Sequence, residues 1–254
     1  MNLLISLRSE LLKTRKASFY LTLIGAAVGP VMYLLNILLD EGESDSLKKD
    51  PLNAVYKILS DMNGTALFPL FIILICTLLP QIEYRNNTWK QVFASPQTKG
   101  NVFLAKFINV HLLMLVFLIA THLFMFLAIV GINFIKPTLN LFEHPLNGNR
   151  VLVNAANAYI LVLAICAIQF WIGLRSRNFI VPIGIGFALW LAGTIMAVQY
   201  KSNLVFYFPY SFNAFPVSTK LKSQLTQVAW TSLGYALLFL IVGFFDFRRR
   251  TVSK

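Results

Sequence analysis

The chain has 254 residues, of which 57% are hydrophobic and only 13% are charged, and its formal net charge is +12. Soluble domains carry about 25% charged residues, so this composition excludes an ordinary soluble protein and predicts helices in a bilayer. Each such helix needs roughly 20 apolar residues, which leaves room for about six. The basic residues flank the apolar runs, a distribution that the positive-inside rule explains better than nucleic-acid binding does.

Residues 1–16 (MNLLISLRSELLKTRK) have the pattern of an amphipathic helix that lies on the inner membrane surface. One face of this helix groups the leucines Leu3, Leu4, Leu7 and Leu11, and the other groups the polar residues Ser6, Ser9, Glu10 and Lys13. The leucine face would then lie among the lipid headgroups. The alternative is a charged lead-in to the first span, with no interfacial role.

Six apolar runs predict spans at about residues 17–39, 64–82, 103–135, 151–174, 179–199 and 226–247. No cleavage pattern precedes the first run, which is too long for a signal peptide, so we expect it to be retained. Arg175, Arg177 and the basic run Arg248–Arg250 predict that both termini are cytoplasmic. The acidic loop 40–63 would then be outside and solvated. No linker or repeat divides the chain, so residues 1–254 are expected to form one membrane domain.

The apolar runs contain few groups that could carry out chemistry. His111 and His122 would lie about 16 Å apart along one helix, too far to share a metal ion, so hydrogen bonds to neighbouring helices are the simplest expectation. Cys76 and Cys166 have no spacing that indicates a disulfide or a metal site. A phosphate-binding loop is also missing from the sequence, so any ATP hydrolysis would need a separate chain.

The polar, basic segment Glu83 to Ala105 (EYRNNTWKQVFASPQTKGNVFLA) separates the second and third spans and contains a short amphipathic helix. Asn86 or Asn87 can cap this helix, and Pro96 prevents it from continuing. Its apolar face consists of Trp89, Val92 and Phe93, and its polar remainder of Arg85, Lys90 and Gln91. The apolar face suits either the membrane surface, with an aromatic anchor, or a groove on a partner protein. The residues alone leave both possibilities open.

The run E-Y-R-N-N-T-W-K-Q-V-F-A-S-P from Glu83 to Pro96, followed by N-V-F-L-A-K up to Lys106, resembles the loop after the second span of ABC-2-type permeases. Within these it looks like the bacitracin and lantibiotic export or immunity permeases, and the six-span layout agrees. Asn87 stands where that pattern tends to have glycine, and asparagine tolerates a similar turn.

This resemblance implies that the short helix is a coupling helix, gripped by a separate ATPase dimer that binds ATP and Mg²⁺. This chain itself would bind no cofactor and no metal. The docking residues that the resemblance implies are Glu83, Arg85, Thr88, Trp89, Lys90, Val92 and Phe93.

The segment Leu204–Val217 (LVFYFPYSFNAFPV) is rich in aromatic residues and is interrupted by Pro209 and Pro216. This composition is typical of a re-entrant or interfacial hairpin on the outer side. The resemblance implies an outer gate formed by Phe206, Tyr207, Phe208, Pro209, Tyr210, Phe212 and Phe215. An aromatic belt without a gating role is the alternative.

Small residues recur at four-residue steps in two spans: Gly25 and Gly29 in the first, and Gly184, Ala188 and Ala192 in the fifth. Such stripes allow two helices to approach closely. They predict either packing within the chain or a contact between two permease chains.

The sequence therefore predicts an all-α integral membrane protein with six transmembrane helices, an N-terminal interfacial helix, a cytoplasmic coupling helix and an outer re-entrant segment. The expected function is that of the permease subunit of an ATP-driven ABC exporter in the bacterial cytoplasmic (inner) membrane, paired with an identical or different second permease. A hydrophobic or peptide-antibiotic-like cargo, and thus antibiotic resistance or immunity, follows from the resemblance and from an expected lining without fixed buried charges. The alternatives are a membrane scaffold or sensor that docks a cytosolic partner without translocation, and an intramembrane enzyme using His111 or His122.

Overall fold

The computed structural model describes residues 3–14, 16–39, 50–94, 96–199 and 203–250, and within these ranges the secondary structure is helical, without strands. Six helical segments are long and apolar enough to cross a membrane, namely Ala17–Ile37, Pro51–Arg85, Lys99–Ile135, Gly148–Arg175, Ile180–Val198 and Lys222–Arg249. The predicted all-α architecture with six spans is confirmed.

The α-helices follow one another along the chain, and three of them, α1, α3 and α5, are too short to span a bilayer on their own. Their bounds are α1 Leu3–Thr14, α2 Ala17–Leu39, α3 Pro51–Met62, α4 Phe68–Arg85, α5 Trp89–Ala94, α6 Lys99–Ile135, α7 Gly148–Arg175, α8 Ile180–Val198 and α9 Leu225–Arg249. Three short 3₁₀ helices, Asn203–Phe206, Pro209–Ala214 and Lys222–Gln224, connect α8 to α9.

The second spanning unit is longer than the sequence predicted, because α3 continues into α4 through the π-helical turn Asn63–Leu67. The Asp50 side chain caps α3 by accepting a hydrogen bond from the backbone N–H of Asn53. Val55 and Leu59 then lie buried in a cluster with residues of α6. The described part of the predicted solvated loop 40–63 is therefore helical, and the earlier part of that loop lies outside the described residues. The prediction overlooked Asp50-Pro51, which is a helix start signal.

Helix α6 is the central element, a single helix of 37 residues that is about 55 Å long. It packs along α1 and α2 and also contacts α4 and α9. Phe117 stacks on Phe71 of α4 with ring centroids 4.3 Å apart. The core of the bundle is thus an aromatic and aliphatic cluster between α4, α6 and α7.

Helices α4 and α7 approach each other very closely. A Cβ atom at Gly173 would lie only 2.3 Å from the carbonyl oxygen of Cys76, so this crossing requires glycine. The crossing also brings the buried sulfurs of Cys76 and Cys166 to within 4.0 Å of each other as free thiols. The two cysteines lie on different helices far apart in the chain, so their spacing in the sequence does not indicate this contact.

Helix α1 presents its polar face to the protein. Ser6, Glu10 and Thr14 are buried, whereas Leu4 and Leu12 are 75% and 61% exposed. An outward apolar face is what an interfacial helix needs. The sequence pattern predicted the two faces but not that the polar face packs against α6.

Candidate docking site at the α5 end of the bundle

A tight turn separates α4 from α5. Asn87 adopts a left-handed backbone conformation with φ 52°, which asparagine tolerates better than most residues, and the next amide, that of Thr88, donates to the carbonyl of Glu83 over 3.0 Å. The turn therefore reverses the chain immediately after the membrane-spanning part of α4. On the other side of α5, Thr98 caps α6 by accepting from the amide of Asn101.

The apolar face of α5 packs against the chain's own helices. The Trp89 ring lies 5.5 Å from Phe93, 5.3 Å from Tyr84 of α4 and 5.9 Å from Phe247 of α9. Val92 packs against the same core. The apolar face thus contacts the bundle itself, an arrangement that the sequence did not predict. An exposed hydrophobic face is avoided in this way.

The exposed side of α5 and its turn is polar and basic. Arg85, Lys90 and Gln91 are exposed, and Thr88 is half-buried. Trp89, Val92 and Phe93 are half-buried on the opposite side, so the predicted docking residues fall into an outward group and an inward group. A partner approaching this end of the bundle meets the basic group first.

Glu83 belongs to neither group, because it is part of a buried charge cluster. The cluster consists of Glu10 and Lys13 from α1, Glu83 from α4 and Lys106 from α6. The Lys106 ammonium contacts the carboxylate of Glu83 and lies 2.8 Å from that of Glu10. The Lys13 ammonium lies 2.8 Å from Glu10 and 3.0 Å from Glu83. Each lysine therefore contacts both carboxylates, and the four charges cancel.

Burial makes this balance important. The side chains of Glu83 and Lys106 are only 1% and 2% exposed. Removing one partner of a buried ion pair costs about 3–5 kcal/mol, because the other charge remains in a poorly polarisable environment. Burial alone would lower the pKa of Lys13, but the carboxylates of Glu10 and Glu83 outweigh it and raise this pKa above its ordinary value. The cluster therefore connects α1, α4 and α6 through ion pairs.

The charge cluster is connected directly to α5. The Lys106 ammonium lies over the Trp89 ring, 5.5 Å from its centroid, in a cation–π contact. Beyond the cluster, Arg250 donates to the carbonyl of Leu174 over 2.6 Å and to the Tyr84 hydroxyl over 3.2 Å, which ties α9 to α4 and α7. The contacts around α5 therefore involve residues of α4, α6 and α9.

The sequence analysis named Glu83 as a docking residue and did not connect it to Glu10, Lys13 and Lys106. The resemblance motif does include Lys106, but as the end of a pattern and not as an ion-pair partner. Two acids and two lysines at the same ends of otherwise apolar helices are the signal that could have revealed the cluster, since such charges must be paired when buried.

A family model described as ABC-2 family transporter protein matches residues 6–193, which is most of the chain. The chain belongs to the ABC-2 transporter family. It is therefore a membrane transport component, and the match includes α5, its turn and all four residues of the charge cluster. No curated protein matches the chain.

The aromatic segment Leu204–Val217 of this ABC-2 protein follows the matched part of the chain. It forms two 3₁₀ helices, and Pro209, Tyr210, Phe212 and Phe215 are buried, whereas Tyr207 is 65% exposed. Phe206 and Phe208 are half-buried. The segment packs mainly against α8 and α7.

The buried part of this segment reaches deep into the bundle. The Tyr210 hydroxyl accepts a hydrogen bond of 2.9 Å from the amide of Gln169, which lies in the second half of α7. A Cβ atom at Gly193 of α8 would lie 2.5 Å from the backbone of Tyr210, so glycine is needed for this approach. The sequence analysis singled out neither Gln169 nor Gly193.

The two small-residue stripes have different environments in this ABC-2 protein. Gly29 is buried, and a Cβ atom there would lie 2.6 Å from the side chain of Leu67, while one at Gly25 would lie 3.4 Å from Phe117. This first stripe therefore serves packing within the chain. By contrast, Gly184, Ala188 and Ala192 are all exposed on α8.

The two membrane histidines make separate contacts. His111 Nδ1 lies 2.8 Å from the Tyr159 hydroxyl of α7, which is the predicted contact with a neighbouring helix. His122 Nδ1 lies 2.7 Å from the carbonyl of Leu118 in its own helix, so for His122 the prediction of a partner on another helix was wrong. Within the described ranges, no three histidine, cysteine or acidic residues are grouped to hold a metal ion.

Proposed function

We propose that this ABC-2 protein is the permease subunit of an ATP-driven exporter, and that a separate ATPase docks on the exposed side of α5. The observation that supports this most is the two-sided character of α5. Its aromatic side contacts the spanning helices through Trp89 and Phe93, whereas Lys90 on its outward side and Arg85 at the end of α4 are exposed to a partner. A short helix held in this way can pass a partner's motion into the membrane.

In this proposal the chain contributes docking and movement, and the partner contributes ATP, Mg²⁺ and hydrolysis. Closure of the ATPase dimer would move α5, and the charge cluster would carry that movement to α1, α4 and α6. The buried segment Pro209–Ala214 would act as the outer gate. Its contacts with α7 and α8 support this role, because a tilt of either helix changes the packing around Tyr210.

The proposal also specifies the cargo, the second permease and the membrane in which the chain lies. A hydrophobic or peptide-antibiotic-like cargo, in the manner of bacitracin and lantibiotic export or immunity permeases, would fit the apolar bundle. The chain would lie in the bacterial cytoplasmic (inner) membrane with both termini inside and pair with a second permease. The exposed stripe of Gly184, Ala188 and Ala192 on α8 would form the contact between the two permeases.

Affinity purification of the tagged chain from its native membrane tests the docking. We expect an ATPase with a phosphate-binding loop to co-purify, with ATP hydrolysis in the eluate. The double variant Arg85→Glu, Lys90→Glu should reduce the amount of this ATPase at least about tenfold, because the reversed charges face the partner. Lys220→Glu, an exposed lysine at the opposite end of the bundle, is the matched control and should retain it.

Trp89→Ala provides a second test with a different expected signature. Because Trp89 points inward, its loss should lower the thermal stability of the chain as well as weaken ATPase binding, whereas the charge variants should weaken binding alone. Full ATPase binding by both the charge variant and Trp89→Ala would contradict the docking proposal. Binding without any ATP-dependent transport in proteoliposomes would instead support a scaffold or sensor subunit.

A further inference from the structure

A cavity of about 500 Å³ with many polar side chains in its wall lies at the end of the bundle opposite α5. It is lined by the first half of α7, by the junction of α3 with the π-helical turn, and by the chain between the Pro209–Ala214 turn and α9. Asparagines are the commonest residues in its wall: Asn147, Asn149, Asn154, Asn157 and Asn213.

The wall of this cavity contains buried polar groups without a hydrogen bond to any described residue. Asn213 is only 3% exposed, and neither its amide nitrogen nor its amide oxygen has such a partner. The hydroxyl oxygens of Ser60 and Thr65 are also buried without such a hydrogen-bond partner. Buried polar groups are nearly always paired, so the three side chains show that polar groups beside this cavity are left unsatisfied by the described residues.

The charge of the lining indicates which occupant the cavity selects. Lys57 is paired with Asp61 over 3.0 Å, which neutralises both. Arg150 and Lys222 also line the cavity, and neither forms an ion pair with a carboxylate of the described residues. Both are exposed and so mark the mouth, whereas Asn213 lies in the interior. The arrangement places two unneutralised cations next to a set of amide donors.

We infer that this cavity binds a phosphate-bearing anion, free in solution or as the headgroup of a lipid, between Arg150, Lys222 and the asparagine wall. A phosphate offers several acceptor oxygens, which match guanidinium, ammonium and amide N–H donors. The volume exceeds that of a phosphate alone and leaves room for an attached polar group. This site goes beyond the proposed export function, because ligand binding there requires neither α5 nor an ATPase.

Binding to the purified full chain tests the inference without any partner protein. One arm titrates inorganic pyrophosphate and glycerol phosphate into the detergent-solubilised chain by calorimetry. The other compares nanodiscs of phosphatidylcholine with and without phosphatidylglycerol, and identifies retained lipid by native mass spectrometry. Saturable binding in the first arm indicates a free phosphate compound, and selective retention of phosphatidylglycerol in the second indicates a headgroup.

Substitutions connect the binding to this cavity. We expect Arg150→Gln with Lys222→Gln to weaken binding at least about tenfold, because two charge-assisted hydrogen bonds are lost. Lys220→Gln is the control, since Lys220 is two residues away but lines a neighbouring cavity instead, and it should change binding less than about twofold. Asn213→Ala should also weaken binding, and thermal unfolding of each variant confirms that it folds.

Three results would overturn the inference. The first is a wild-type chain that binds neither the soluble phosphates nor phosphatidylglycerol, which would leave water as the occupant. The second is binding that the Arg150, Lys222 double variant retains in full. The third is a Lys220→Gln variant that loses as much binding as the Arg150, Lys222 double variant, which would attribute the effect to general surface charge. None of these results depends on whether an ATPase docks on α5.

Discussion

The ammonium group of Lys106 is held between two carboxylates, those of Glu10 and Glu83, which come from helices on either side of it. Glu83 lies in the last turn of α4, just before the turn into α5, so its side chain connects this end of α4 to α1 and α6. Buried charges of this kind hold helices in a fixed arrangement only while they remain balanced.

Glu83→Gln should therefore destabilise the chain strongly. The substitution preserves the shape of the side chain but leaves two lysines facing one carboxylate in a buried place. We expect a loss of about 3 kcal/mol in the free energy of unfolding, visible as a lower midpoint of thermal unfolding in detergent. Adding Lys106→Met should recover part of this loss, because it restores the charge balance of Glu10 with Lys13.

The exposed Glu143 supplies the control for this measurement. Glu143→Gln removes the same charge at a solvated position and should leave the unfolding midpoint unchanged. A Glu83→Gln variant as stable as the wild type would show that the buried cluster does not hold the helices together.

At this scale the sequence revealed the types of residue but not their pairing. Glu83 and Lys106 were both visible in the motif, yet they lie on different helices, and Glu10 lies on a third. Ion pairs between helices depend on how those helices pack. The periodicity of a single sequence does not determine which residues of different helices come together. The expected lining without fixed buried charges overlooked the cluster for the same reason.

Among the elements, the spans were predictable and the connections were not. Long apolar runs have no stable alternative to a helix in a bilayer, because the backbone must satisfy its own hydrogen bonds there. The aromatic segment after α8 could be recognised by composition, but its depth depends on Gly193 of α8, a feature of the packing. Likewise, the amphipathic pattern of α5 was correct, although its apolar face contacts the bundle.

Gly193→Ala tests how the Pro209–Ala214 turn is held. The added Cβ atom would lie 2.5 Å from the backbone of Tyr210, so either the turn or α8 must shift. We expect a loss of about 1–3 kcal/mol in the free energy of unfolding, the usual cost of overpacking. Thermal unfolding in detergent measures it.

Gly234→Ala is the matched control for this substitution. Gly234 is also inside a spanning helix, but a Cβ atom there meets nothing within 4 Å, and alanine favours the helix. The control should therefore unfold at the wild-type temperature or slightly above. If Gly193→Ala behaved in the same way, the close contact between α8 and Tyr210 would not be a constraint on the fold.

At the scale of the whole molecule, α8 leaves most of its surface exposed, with only Pro182, Gly186 and Gly193 buried. The proposed contact between two permeases on this surface predicts that Ala188→Cys forms a cross-linked dimer when membranes are oxidised. Gly234→Cys, exposed on α9, should remain monomeric. The buried Cys76 and Cys166 are inaccessible to this chemistry. Dimers that form equally through both new cysteines would contradict a contact specific to α8.

The sidedness of α5 decides whether a cytosolic ATPase can reach it. Lys90→Cys places a thiol on its exposed side, and Lys220→Cys places one at the opposite end of the bundle. With a membrane-impermeant maleimide, we expect Lys220→Cys to react in intact cells and Lys90→Cys to react only after the membrane is opened. Reaction of Lys90→Cys in intact cells would place α5 outside and contradict a chain that is driven from the cytosol.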